Sequence, residues 1–230
     1  HVAKIDGTVE QASSSEVIVK LLNVNKYEVL DTVAVDAAGK FSYKVEVEEG
    51  KPEFIYLYHG DKKIASLLLS EGEKVAVKAD TLGNYTVSGS EESELLREFN
   101  QEYISGVIKL RGIISKIAAG SLSDEERKTL SEEYTKTYLD IKRKQMNFIV
   151  SHKQNIAAVY ALHQRLPNDS YLFNGDSDVI YYRTVAEAIE QSYPESQYLQ
   201  ILRSQVARMS AQSSLLSQAK EVNFPEIKMP

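Results

Sequence analysis

The sequence predicts an α+β chain, with an N-terminal antiparallel β-sandwich over residues 1–90 and an α-helical segment of about five helices over 91–219. Three observations predict it. Apolar residues recur with period two between residues 2 and 88. After Gly89 they recur at spacings of three and four. Turn-forming clusters separate the early segments every ~8–12 residues, the rhythm of a two-sheet sandwich.

The strands follow in order. Ala3–Val9 and Val17–Leu22 carry apolar residues at alternate positions. Phe41–Glu48 has the strongest alternation, with apolar odd positions and polar even ones, the mark of a strand with one buried face. Asp36-Ala37-Ala38-Gly39 precedes it as a tight turn, so Val29–Val35 is expected to be its hairpin partner. Phe54–Tyr58 follows. Ile64–Leu69 and Lys74–Ala79 flank Ser70-Glu71-Gly72-Glu73 and read as a second hairpin. Tyr85–Val87 closes the set.

Ser90 is a fitting N-cap, with Glu91 and Glu92 in the first turn where the helix dipole favours acids. Leu96, Phe99, Tyr103, Val107, Leu110, Ile114 and Ile117 then form one apolar stripe that Gly120 ends. Ser123 and Glu126 make a capping box for a second long helix, whose stripe is Leu130, Tyr134, Tyr138, Ile141, Phe148 and Ile149. The short link between the two helices predicts an antiparallel pair. A third helix is expected over Ile156–Arg165, stopping before Pro167. A fourth is expected over Ser177–Ser192. A fifth has Pro194 in its first turn and carries Leu199, Leu202, Val206 and Met209. Ser210–Ala219, rich in serine and glutamine, is expected to fray or to act as a linker. Whether the helices pack back on the sandwich is left open by these patterns.

Composition narrows the function. The 230 residues carry 27 Lys and Arg against 33 Asp and Glu, a net charge of −6, which argues against a nucleic-acid surface. Hydrophobic residues are 43% and charged residues 26%, ordinary for a globular chain. Cysteine is absent, which removes disulfides, thiol chemistry and cysteine metal sites from these residues. The sequence enters strand-like residues directly at His1, and a leader is expected to be either absent or removed before that point.

No catalytic, cofactor-binding or metal-binding residue is assigned. Of His1, His59, His152 and His163, only His152 and His163 sit on helices where they could meet, and no third ligand accompanies them. Asn174-Gly175-Asp176-Ser177-Asp178 has a faint calcium-loop look, but the closing Glu is missing, so a turn and N-cap is the expected reading. The acid pairs Glu91–Glu92, Asp124–Glu125–Glu126 and Glu132–Glu133 lie at helix starts or on polar faces, where they are expected to be solvated or dipole-stabilised. No Gly-x-Ser-x-Gly elbow or phosphate loop is present. Fourteen tyrosines are the one compositional excess. Most fall on core faces. Tyr171, Tyr181 and Tyr193 flank loops and are candidates to line a groove for a sugar or peptide.

The order of parts carries a resemblance. Ile5-Asp6-Gly7-Thr8-Val9, then Val33-Ala34-Val35-Asp36 to Gly39-Lys40-Phe41-Ser42-Tyr43, then Leu67-Leu68-Leu69 to Gly72-Glu73-Lys74-Val75-Ala76-Val77, and finally Tyr85-Thr86-Val87-Ser88-Gly89-Ser90, resemble a DUF4369-type N-terminal domain. Such domains precede thioredoxin-like domains in gut-type Gram-negative anaerobes, with a helical segment between. Ser196-Gln197-Tyr198-Leu199 fits the Ser-x-Tyr near the start of the last helical element. Phe224-Pro225-Glu226-Ile227-Lys228-Met229-Pro230 looks like the opening strand of a TlpA-like thiol–disulfide oxidoreductase domain. It departs from the pattern in having Phe224 where Ala is common and in lacking the usual earlier Gly.

The resemblance implies that 220–230 is a linker and the start of a thioredoxin-like domain whose Cys-x-x-Cys pair lies downstream. These residues would then be a non-catalytic accessory region, serving substrate or partner recognition, domain positioning or dimerisation. Its expected partners are the downstream domain of the same polypeptide, protein substrates and a second copy in a homodimer, with no nucleic acid and no cofactor. The resemblance also implies export, to the periplasm or an outer-membrane anchor, with signal and lipid-anchor cysteine trimmed before His1. The alternatives are a stand-alone binding module for a glycan, peptide or protein, and a hydrolase or metal enzyme resting on His152, His163 and Asp176.

Overall fold

The computed structural model describes residues 1–23 and 25–222. Eight strands come first: β1 (Val2–Val9), β2 (Glu16–Asn23), β3 (Lys26–Ala34), β4 (Lys40–Glu46), β5 (Glu53–His59), β6 (Lys62–Leu69), β7 (Lys74–Ala79) and β8 (Tyr85–Ser88). Five α-helices follow: α1 (Glu91–Ala118), α2 (Asp124–Ser151), α3 (Ile156–Leu162), α4 (Val179–Ser192) and α5 (Gln197–Val222). A 3-10 turn at Asp176–Asp178 leads into α4. The α+β architecture matches the sequence reading.

Two four-stranded sheets form the sandwich, in the orders β4-β1-β7-β8 and β3-β2-β5-β6. Every pairing is antiparallel except β1 with β7, which is parallel. Both expected hairpins need correction. The Asp36–Gly39 turn closes, with Gly39 N–H donating to Asp36 O at 2.9 Å and Gly39 at φ +79°. Beyond it, however, β3 pairs with β2 while β4 pairs with β1. Likewise β6 pairs with β5, and β7 with β1 and β8. Each turn carries the chain from one sheet to the other. Alternation reports which face of a strand is buried, and Leu67, Leu69, Val75 and Val77 all bury into the same interior from facing sheets.

In the second sheet, β5 and β6 are buried on both faces. Ile55, Leu57, Leu67 and Leu69 point into the sandwich, whereas Phe54, Tyr56 and Leu68 belong to the core formed with the helices. The helices therefore pack back on the sandwich. Bulges at Leu30 and Ile64 shift the register of β3 and β6. β3 is an exposed edge, blunted by Lys26, Glu28 and Asp31 along it.

The first two helices form as expected. Ser123 Oγ accepts from Glu126 N–H while Glu126 Oε2 accepts from Ser123 N–H, the reciprocal cap that starts α2. α1 and α2 pack closely where Gly106 meets Ile141; a Cβ on Gly106 would lie 2.6 Å from Ile141 Cγ1. Three details differ from expectation. α3 stops at Leu162, because Leu166 N–H turns back to Ser170 O and Arg165 bridges Tyr171 in an isolated β-pair ahead of and around Pro167. Pro194 lies in the turn before α5 rather than in its first turn. Ser210–Ala219 continues α5 as helix. Phe224–Pro230, expected to open a thioredoxin-like domain, lies outside the described residues.

Candidate functional site

The junction between sandwich and helices is built by three buried polar side chains at the start of α1. Ser90 caps the helix, its Oγ accepting from Ser93 N–H at 3.2 Å. Ser93 Oγ accepts from Leu68 N–H and donates to Leu68 O, both at 2.9 Å, and Ser90 Oγ lies 3.1 Å from the same carbonyl. β6 is an edge of its sheet among the described residues, so these bonds satisfy backbone groups that no described strand reaches. The helix is thereby fixed to the sheet at one residue, Leu68, which is itself fully buried.

Glu92 makes the second join. It is 3% exposed, which corrects the expectation of a solvated, dipole-stabilised acid. Its carboxylate accepts from Ile156 N–H at 2.8 Å, Ala157 N–H at 2.9 Å, Asn155 Nδ2 at 3.2 Å and the Tyr193 hydroxyl at 3.1 Å. Asn155, the N-cap of α3, makes no side-chain cap bond of its own. A glutamate 64 residues earlier therefore caps α3 in its place. Burial pushes the Glu92 carboxyl above the usual glutamate range, and its four donors oppose that rise.

The Ser-x-Tyr of the last helix makes a third join. Tyr198 N–H donates to Ser196 Oγ at 3.2 Å, and the Tyr198 ring meets Phe54 of β5 edge to face at 5.5 Å. Phe54, Phe99 and Tyr160 form a continuous aromatic cluster between sheet and helices. Burying each such ring contributes roughly 1.5–3 kcal/mol.

Beside these joins lies a cleft of about 320 Å³, between β6 and β8 on one side and α1 and α3 on the other. Tyr85 and Tyr103 stand in its walls. Tyr85 donates its hydroxyl to Ser66 O at 3.0 Å, and Tyr103 donates to Arg165 O. Burial pushes both phenols up to about 12. Asn100 and Gln164 are held by Tyr160: the Tyr160 hydroxyl donates to Asn100 Oδ1 at 3.0 Å, and Gln164 Nε2 donates to Tyr160 O at 2.9 Å. Lys63, Arg111 and Arg165 stand on the rim. A second, wider groove of about 1200 Å³ runs between α1 and α2, with mixed charges such as the Lys144–Glu102 pair at 3.1 Å.

The singled-out residues are not brought together. His152 caps the end of α2 and packs on Phe148 at 4.8 Å. His163 bonds Val159 O and Gln205 Oε1 through its two ring nitrogens. Neither has the other as a partner. His59 Nε2 accepts from Ser14 N–H at 3.0 Å, and exposed His1 lies 3.5 Å from Glu71. In the Asn174–Asp178 segment, Asp178 accepts from Gly175 N–H and pairs with Lys142 Nζ, both at 2.9 Å. Its carboxylate is thus committed to a turn and an ion pair. Among the described residues no group of three or more His, Asp or Glu side chains is placed to hold a metal ion. No described helix is long and apolar enough to cross a membrane.

The loop tyrosines do not share a groove. Tyr171 stacks under the Arg165 guanidinium at 4.7 Å, Tyr181 packs on Phe173 at 5.6 Å, and Tyr193 is spent on Glu92. None lines the junction cleft. The tyrosines that do, Tyr85, Tyr103 and Tyr160, sit on strand and helix faces and read in sequence as ordinary core. Their shared location follows from how the helices pack on the second sheet.

No curated protein matches the chain. Residues 3–96, from β1 through the first turns of α1 and so including Ser90, Glu92 and Ser93, match the family model described as Domain of unknown function (DUF4369).

Proposed function

We propose that this chain is the non-catalytic accessory region of an exported thioredoxin-like thiol–disulfide oxidoreductase. In this reading it positions a catalytic domain of the same polypeptide and presents protein substrates to it. The supporting observation is the double clamp at the start of α1. Leu68 with Ser93, and Glu92 with α3 and Tyr193, tie sandwich and helices into one body. A region can hold another domain at a defined place only if its own parts do not swing. α5, roughly 40 Å long at ~1.5 Å per residue, starts on that body at buried Leu199 and Leu202 and reaches exposed Leu215 and Leu216.

The chemistry would then be supplied by a Cys-x-x-Cys pair outside these residues. Its lower-pKa thiolate attacks one sulfur of a substrate disulfide, and the second thiol resolves the mixed disulfide. Intact mass and thiol titration of the native polypeptide test this. A product well above 25.8 kDa with two reactive thiols is expected; a product of 25.8 kDa without thiols overturns it. The junction cleft favours a second reading, a stand-alone binding module.

A further inference from the structure

We propose that the junction cleft is a binding site for a small organic anion with an apolar body, an aryl carboxylate being the type. The inference rests on the cleft alone and holds under either reading above.

The charge of the cleft is the first argument. The chain has more acids than bases, 33 against 27, yet among the described residues no Asp or Glu lines this cleft while Lys63, Arg111 and Arg165 do. Arg165 is oriented by Asp169 at 3.0 Å and by the Tyr171 ring. Lys63 and Arg111 have no ion pair among the described residues. The Lys63 ammonium lies 5.1 Å from the Tyr56 ring centroid. A cleft with cations of one sign and low-dielectric walls focuses potential on an anion.

The apolar wall is the second argument. Ile104 and Ile108 of α1 face the cleft and are 54% and 61% exposed. Together with the half-buried Tyr85 ring they offer a surface that inorganic phosphate or a bare carboxylate would not use. Covering it is worth about 25 cal/mol per Å².

Rigidity and size are the third. Asn100 and Gln164 are fixed through Tyr160, and both tyrosine walls are hydrogen-bonded to backbone carbonyls. The site is therefore formed before a ligand arrives. About 320 Å³ is at the small end of ligand pockets, so the cleft takes a metabolite-sized molecule rather than a protein segment.

The test is calorimetric titration of the chain with 3-phenylpropionate, with its neutral amide, and with inorganic phosphate. Saturable binding of the carboxylate, at least about tenfold tighter than either control, is expected; tenfold corresponds to ~1.4 kcal/mol. The exposed double variant Lys63→Glu/Arg111→Glu should lose at least about tenfold in affinity while keeping its melting temperature, and Ile108→Asp should do the same through the wall. No saturable binding of the carboxylate overturns the proposal. So does equal binding of the amide or of phosphate, or wild-type affinity in both variants.

Discussion

Tyr193 donates its hydroxyl hydrogen to Glu92 Oε1 at 3.1 Å, joining the end of α4 to the start of α1 across 101 residues. The same carboxylate caps α3. One buried side chain thus fixes the mutual positions of three helices, and it does so one residue from Ser93, which fixes α1 to the sandwich. The two joins act in series: disturbing either should loosen the helices as a group.

Glu92→Gln keeps the shape and removes half of the acceptor capacity, turning an amide NH₂ toward backbone donors. A buried donor left unsatisfied costs about 1–3 kcal/mol. At this chain length that is ~2–4 °C of melting temperature per kcal/mol. Glu91→Gln, at the exposed neighbour, should stay within about 0.5 kcal/mol. Tyr193→Phe should cost less than Glu92→Gln, and the two effects should be non-additive in a double-mutant cycle. Equal melting temperatures for the two glutamate variants would contradict the capping role.

Ser93→Ala strips the Leu68 N–H of its partner at a sheet edge. The expected loss is again about 1–3 kcal/mol. Hydrogen exchange gives the sharper readout: the Leu68 amide should lose protection in the variant while amides of β1 and β7 keep theirs. Unchanged protection at Leu68 would show that the edge is satisfied in another way.

Gly7 lies opposite Phe41 in the β1–β4 pair, and the Phe41 ring covers it. A Cβ at Gly7 would fall 2.2 Å from Phe41 Cζ. Gly7→Ala should therefore destabilise by about 1–3 kcal/mol through overpacking. Phe41→Leu in the same chain should recover part of the loss, although Phe41→Leu alone is destabilising. Denaturant midpoints of the four chains check this, and an innocuous Gly7→Ala would remove the steric account of that glycine.

The division into sandwich and helices was legible because period two and period 3.6 are local signals. The cap at Ser123 and Glu126 was legible for the same reason. Strand partners were not: β3–β4 and β6–β7 look like hairpins because a short turn joins two strand-like segments, and no local pattern says that the turn crosses from one sheet to the other. One overlooked signal was present. Phe54-Ile55-Tyr56-Leu57 and Ile64 to Leu69 are almost unbroken apolar runs, unlike the alternation at Phe41–Val47, and such runs mark strands covered on both sides. They foretell that helices lie on the second sheet. Glu92 and the cleft tyrosines had no comparable signal. Glu92 reads as a dipole-favoured surface acid, and only the arrival of α3 and Tyr193 makes it a buried cap.

Alkaline pH offers the broadest test of the packing at the junction. Burial pushes the phenols of Tyr85, Tyr103, Tyr182 and Tyr198 up to about 12, and those of Tyr56, Tyr160 and Tyr193 also above the usual tyrosine range. Desolvation is the largest cause in each case, because the ionised ring would lose its water among apolar neighbours. In the unfolded chain these groups ionise near ~10. The raised folded values mean that the folded state holds its protons longer than the unfolded state does. Their contribution to stability is complete below about pH 10 and is lost as pH rises through 10 toward 12 and beyond. Stability should accordingly fall steeply above pH 10, and tyrosinate absorbance should rise in two stages, the later one coinciding with loss of secondary structure. Tyr160→Phe removes one of the late groups and should reduce the amplitude of the second stage by one phenol. A single ionisation step for all 14 tyrosines near pH 10, with the fold intact, would mean that water reaches the junction and that its aromatic cluster is not packed as described.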